Sequence, residues 1–173
     1  MKLIVAGLLL FHVASASAWA ARLPTAIEFR AAYCVRMMQW SVRQLSSDQN
    51  VLEQELLARR QGGSPPAENA GLSDEKLEGM LRRSQEEAAS EHAVLEKLQQ
   101  YLEPRISNLE PAALGAAKQR ADADIQAIAN LNRKCGFQCA HGLDFEACLA
   151  DRCGGKQLLQ RFSGCRDPGW LVF

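Results

Sequence analysis

The 173-residue chain carries 20 basic and 20 acidic side chains, six cysteines, 47% hydrophobic and 6% aromatic residues. Length and apolar content suit one globular domain and exclude a large multidomain assembly. Balanced charge at 23% of residues excludes bulk electrostatic binding of nucleic acid and argues against wholesale disorder, and 12 Gly with 6 Pro exclude a collagen-like chain.

The chain opens Met1-Lys2, runs apolar from Leu3 to Ala14, and turns small and polar through Ala16-Ser17-Ala18-Trp19-Ala20. One positive charge, a short apolar run and an Ala-x-Ala signal predict a secretory signal peptide over residues 1–20, cut before Ala21 or, on the alternative Ala-x-Ala, before Trp19. The apolar run makes only ~18 Å of helix against a hydrocarbon core of ~30 Å, too short for an anchor. No later segment is long and apolar enough to span a membrane. The mature chain, residues 21–173, is read as a single helical disulfide-containing domain in the periplasm or outside the cell. It keeps all six cysteines, and an even count in an exported chain points to disulfides.

Thr25 is a candidate N-cap for the first helix. Ile27, Ala31, Cys34, Met38, Leu45, Leu52 and Leu56 fall at spacings of three, four or their multiples, so they share one helical stripe. Neither Gly nor Pro interrupts residues 25–61, although Ser46-Ser47-Asp48 is a place where a helix could restart. Residues 62–71, Gly-Gly-Ser-Pro-Pro followed by Ala-Glu-Asn-Ala-Gly, form a flexible loop.

Ser73 is the next N-cap, with Asp74 and Glu75 where the helix dipole favours negative charge. This second helix carries Leu81, Ala88, Leu95 and Leu102 in strict heptad, flanked by Leu77 and Leu98, and is expected to stop at Pro104. A third helix starts at Pro111, with Leu114, Ala121, Ile128 and Cys135 every seven residues and Ile125 and Cys139 widening the stripe. Gly136 is a candidate end for it. A fourth helix begins at Asp144, pauses at Gly154-Gly155 and resumes over Lys156 to Phe162. The tail from Gly164 ends in Trp170-Leu171-Val172-Phe173. The expected fold is all-α: an up-down-up-down helical bundle of long, coiled-coil-like helices with a disulfide-stapled C-terminal helical hairpin.

Six cysteines allow fifteen pairings, and the bundle narrows them. Cys34 lies near the bottom of the first helix, whereas Cys135 stands ~36 Å above the start of the third. A disulfide needs Cα atoms within about 7 Å, so only Cys165, low on the descending fourth rod, meets Cys34. The other four cysteines flank the turn at Ala140-His141-Gly142-Leu143. Nested bonds Cys139–Cys148 and Cys135–Cys153 are favoured, because they keep similar offsets between the helices. The competitor is Cys135–Cys148 with Cys139–Cys153, which applies if Gly136 ends the third helix.

No catalytic set assembles in the sequence. His92 lacks the partners of a di-iron bundle, since residue 89 is Ala, and reads as a solvated histidine near Glu96. Cys135, Cys139 and His141 would bind metal only as reduced thiols, so no metal and no cofactor are expected. Met38 and His92 as haem ligands are outweighed by Met38 as plain core. Asp122 and Asp124, two apart on a helix, diverge. Glu91, Arg82 and Arg83 read as a solvated helix face. Tyr33, Met37 and Trp40 form a second apolar stripe on the first helix. They are either buried against the neighbouring helices and the tail or form a docking surface, since aromatic and Met surfaces accommodate varied apolar targets. The function expected is therefore that of a non-enzymatic exported helical protein binding another macromolecule, most simply a protein, as adaptor, chaperone-like factor or inhibitor. The alternative is an extracytoplasmic carrier of an apolar ligand, haem or metal within the bundle. Pairing of the long helices between two copies is a further option.

Overall fold

The computed structural model describes residues 21–63, 71–139 and 145–171. The expected leader, most of the 62–71 loop, His141 and the last two residues lie outside the described residues. Helix α1, Ala26–Arg60, starts at a full capping box. The Thr25 hydroxyl accepts the Glu28 N–H at 3.2 Å, and the Glu28 carboxylate accepts the Thr25 N–H at 2.8 Å. The helix passes Ser46-Ser47-Asp48 without a break. There Ser46 donates to the Val42 carbonyl and Gln44 to Asp48, so the polar side chains bond within the helix instead of capping a new one.

Helix α2, Asp74–Ile106, is capped by Ser73, whose hydroxyl accepts the Lys76 N–H. It overruns the expected stop at Pro104. Proline removes a single donor, the one to the Gln100 carbonyl, and only two helical residues follow it, so the loss is small. That turn is also tied by Arg105, which donates to the Tyr101 carbonyl at 2.6 Å and lies over the Tyr101 ring. Helix α3, Pro111–Cys139, starts where expected but continues through Gly136.

The fourth rod is two helices, α4 (Phe145–Arg152) and α5 (Lys156–Arg166), with a corner at Gly154-Gly155. Gly154 has φ of +73°, a conformation that side-chain-bearing residues rarely adopt. Gly155 is pressed on Leu131, and a Cβ there would come within 2.9 Å of the Leu149 carbonyl oxygen. A 3₁₀ turn at Pro168–Trp170 ends the described chain.

The result is an all-α, up-down-up-down bundle with α1 at its centre. Helix α2 packs on one flank and α3 on the other, while α5 crosses α1 and α3. Ala31, Cys34, Met37 and Met38 of α1 meet Leu95, Leu98 and Leu102 of α2, Ala121, Ile125 and Ile128 of α3, and Phe162 of α5 in one cluster. These are mostly the stripe and heptad positions read from the sequence. Ile27 departs from that pattern and is exposed.

The main cluster does not reach the upper halves of α1 and α2. Above Leu45, polar contacts join α1 to α2. Gln49 donates to the Ser84 carbonyl, Arg60 pairs with Glu78 at 2.7 Å, and Leu56 and Leu77 are buried outside the main cluster. These contacts join the upper parts of the two helices.

At the opposite end, the Arg22 backbone pairs with the α2–α3 turn. Its N–H donates to the Asn108 carbonyl and its carbonyl accepts the Glu110 N–H. The Arg22 guanidinium meets both oxygens of the buried Glu28 carboxylate, at 2.8 and 2.5 Å. These hydrogen bonds from Arg22, opposed by burial and aided by Thr25, bring the Glu28 pKa from 4.5 down to about 2.

Cys34 is bonded to Cys165, Cys135 to Cys153 and Cys139 to Cys148, with Cα separations of 5.2, 6.4 and 5.7 Å. The hairpin bonds are the nested pair, which follows from the helical continuation through Gly136: four residues apart on one face, Cys135 and Cys139 address successive levels of α4.

Two predictions follow from this architecture. A depressed carboxyl pKa contributes stability that is complete above its unfolded value and lost as pH falls through the folded one. Thermal melting should therefore decline between about pH 4.5 and about pH 2, and Glu28→Gln should lower the melting temperature near neutrality while flattening that decline. Replacing Cys34 and Cys165 together by Ala opens a loop of 131 residues. Urea unfolding should show a loss of about 3–5 kcal/mol, with amide exchange accelerated first in α5.

Candidate ligand groove between α1, α3 and α5

The apolar stripe of α1 is where the sequence offered two outcomes, and the fold selects burial. Met37 is fully buried and Tyr33 nearly so, while Trp40 is half-buried and meets the edge of Phe162 with ring centroids 6.0 Å apart. Tyr33, Met37 and Trp40 therefore do not present a shared docking surface. The Cys34–Cys165 bond draws α5 over that face, and Leu171 of the tail joins the same core.

Where α5 leaves α1 and α3 incompletely covered, a solvent-open groove of about 540 Å³ remains. Phe29, Tyr33 and the Cys34–Cys165 bridge line it from α1 and the α1–α5 junction, Arg120 from α3, and Gln157, Gln160 and Arg161 from α5. Arg30 closes the lower end. Its guanidinium donates to the Gly164 carbonyl at 3.1 Å and lies 4.2 Å from the centre of the Trp170 ring, whose indole N–H donates to the same carbonyl. A Cβ at residue 164 would stand 3.2 Å from the Arg30 Nη2, so glycine permits this close approach.

The groove is cationic. Three arginines line it, and no Asp or Glu does. Asp124 supports it from behind, accepting the Tyr33 hydroxyl at 2.8 Å and a two-pronged contact from Arg161 at 2.9 and 3.0 Å. Burial works to raise the Asp124 pKa, but the hydrogen bonds from Arg161 and Tyr33 outweigh it and lower it. Tyr33 is pushed up to about 12, first by burial and then by its bond to Asp124. At neutral pH the phenol is therefore a neutral donor and Arg161 is held in place by a full carboxylate. Arg120 lies close enough to Asp124 to help lower its pKa but forms no ion pair with it, and Arg30 has no carboxylate within ion-pair distance among the described residues.

Sequence reasoning missed Arg30, Arg120 and Arg161, because no local pattern links three positions on three helices. The only available signal was the predicted Cys34–Cys165 bond, which implies that the residues around 30 and 161 are neighbours. Asp122 and Asp124 diverge as expected, Asp122 to Arg36 at 2.6 Å and Asp124 to the groove. His92 is exposed and 3.5 Å from Glu96, whereas Met38 is fully buried, so the two do not converge on a ligand. No cluster of three or more metal-binding side chains occurs among the described residues.

Glu91 corrects the reading of a solvated face. It is 3% exposed and bonds to Arg166 Nε at 2.7 Å, while the same guanidinium reaches Glu87 and Glu146 at 2.9 Å each and lies over Phe162. This cluster ties the end of α5 to α2 and α4. It lies away from the groove, whose lining includes none of these residues. No protein-family model matches the chain, and no curated protein and no solved structure matches it.

The hydrogen-bonded support of the groove can be read spectroscopically. In an ultraviolet titration of the folded protein, Tyr33 should ionise near pH 12. Asp124→Asn removes the negative charge behind the ring, so its ionisation should move down but stay above the ordinary 10.0, because the ring remains buried.

Proposed function

We propose that the chain is an exported, non-enzymatic helical protein that binds another protein through the groove between α1, α3 and α5, in the manner of an adaptor, chaperone-like factor or inhibitor. The observation that carries this reading is the preformed groove itself. Its walls are immobilised by a disulfide, by the Tyr33–Asp124–Arg161 hydrogen bonds and by the Arg30–Trp170 stack. Little conformational freedom remains to be lost when a partner docks, and that is the condition under which a modest contact area gives useful affinity. Arginines beside aromatic rings are the residue types that most often dominate binding energy at protein interfaces.

Export is supported by the leader-like first twenty residues and by the cysteines, all of which are bonded. The backbone pairing at Arg22 lies just past the expected cleavage point, so removing the leader leaves that anchor intact. Among the described residues no helix is long and apolar enough to cross a membrane.

The test uses the mature protein with a photo-crosslinking benzoylphenylalanine in place of Gln160, exposed to extracytoplasmic material from its source. A discrete adduct that persists with Arg83→Glu, on the outer face of α2, and falls by about tenfold or more with Arg120→Glu is expected, as for loss of a charge contact inside an interface. Equal adduct yield from both variants would remove the groove from partner binding.

A further inference from the structure

We infer that the groove takes an acidic peptide segment in extended form, its carboxylates facing Arg30 and Arg120 and an apolar side chain seated on Phe29 and Tyr33. This names the chemistry of the partner proposed above and rests on that reading. The argument is one of charge, shape and length.

Unpaired arginines are common on this surface, so a free guanidinium alone marks nothing. What distinguishes this place is that three of them converge on an apolar floor with no acidic residue in the lining. Asp124 is ion-paired with Arg161 and also feels Arg120 at longer range, so one carboxylate stands behind three arginines and the groove keeps a net positive charge, with Arg30 and Arg120 free of direct ion pairs among the described residues. Arg30 is also pre-positioned: the Gly164 carbonyl and the Trp170 ring hold its guanidinium without neutralising it. A fixed planar fork with open donors suits a carboxylate, which it can engage through two parallel hydrogen bonds.

The dimensions favour a peptide. Gln157, Gln160 and Gly164 mark out about 10 Å of the α5 wall, the span of about three residues of extended chain. Gln157 and Gln160, one turn apart, supply amide donors and acceptors at a spacing that a peptide backbone can use. The groove is open to solvent on its outer side, so a chain can lie down in it without threading. Its volume lies within the range of sites that hold drug-sized ligands, enough for two or three side chains.

The probe is fluorescein-labelled acetyl-Glu-Leu-Phe-Glu-amide, titrated by fluorescence polarisation against the intact, oxidised protein. Saturable binding with Kd below about 1 mM is expected, weakening as salt rises from about 50 to about 500 mM. Arg120→Glu should weaken it at least about tenfold, Arg120→Lys much less, and Arg83→Glu not at all. Arg120 is exposed, so these variants leave the core intact, and circular dichroism with thiol counting verifies it. The inference is overturned if the peptide does not saturate, if acetyl-Lys-Leu-Phe-Lys-amide binds as well, or if Arg120→Glu binds like the wild type. Binding of laurate in place of the peptide also overturns it, because the site would then serve a small amphiphile. A groove-dependent crosslink with no peptide binding sinks the acidic occupant alone. Peptide binding with no groove-dependent crosslink sinks the protein-partner reading alone.

Discussion

Helix α5 has eleven residues, below the length at which an isolated helix holds together in water. It is kept in place by the covalent bond from Cys165 to Cys34, and much of the molecule's surface follows from that single constraint. With α5 held down, Phe162 packs edge-on against Trp40, the face of α1 around Met37 becomes core, and the tail comes round so that Leu171 joins the same cluster. The bridge lies 131 residues apart in sequence, so it also removes more freedom from the unfolded chain than either hairpin disulfide, whose separations are 18 and 9.

The same clamp sorts the charges. A chain with equal numbers of acids and bases can neutralise itself everywhere, and at the end of α5 it does so, with Arg166 set among Glu87, Glu91 and Glu146. One Glu91 oxygen accepts from Arg166 while the other is buried without a hydrogen-bond partner, so the guanidinium is what makes this buried carboxylate tolerable. On the other side of α5 the balance is left open. There Asp124 is ion-paired with Arg161 and acts on Arg120 only at longer range, and Arg30 has no ion pair among the described residues. A closed charge cluster and one with surplus positive charge thus lie on two sides of one short helix, a difference that overall composition does not show.

Helix α1 also links two regions of different character. Its lower half is enclosed by α2, α3 and α5, and its upper half packs on α2 outside the main cluster. In that upper half Leu56 and, from α2, Leu77 are buried, with Val51 and Leu57 exposed on diverging faces. It has less buried apolar surface per turn than the bundle below it, which makes it the segment expected to open first among the long helices.

The helices, their N-caps at Thr25 and Ser73, and the disulfide partners were legible in the sequence. Caps and apolar periods are local, and a sulfur bridge of fixed short reach converts cysteine spacing into helix level. The misjudged boundaries have physical causes. Pro104 sits where a helix has few bonds left to lose, Gly136 only lowers helical preference, and the polar side chains around Ser46-Ser47-Asp48 bond within the helix. Glu91 was misread because a charged residue on a helix is normally solvated, and only the arrival of Arg166 from 75 residues away makes its burial possible. The groove belongs to the tertiary structure for the same reason. Arg30, Arg120 and Arg161 each look like ordinary surface residues on their own helices, and it is the crossing of α5 over α1 and α3, a geometry no local pattern encodes, that gathers them around one apolar floor.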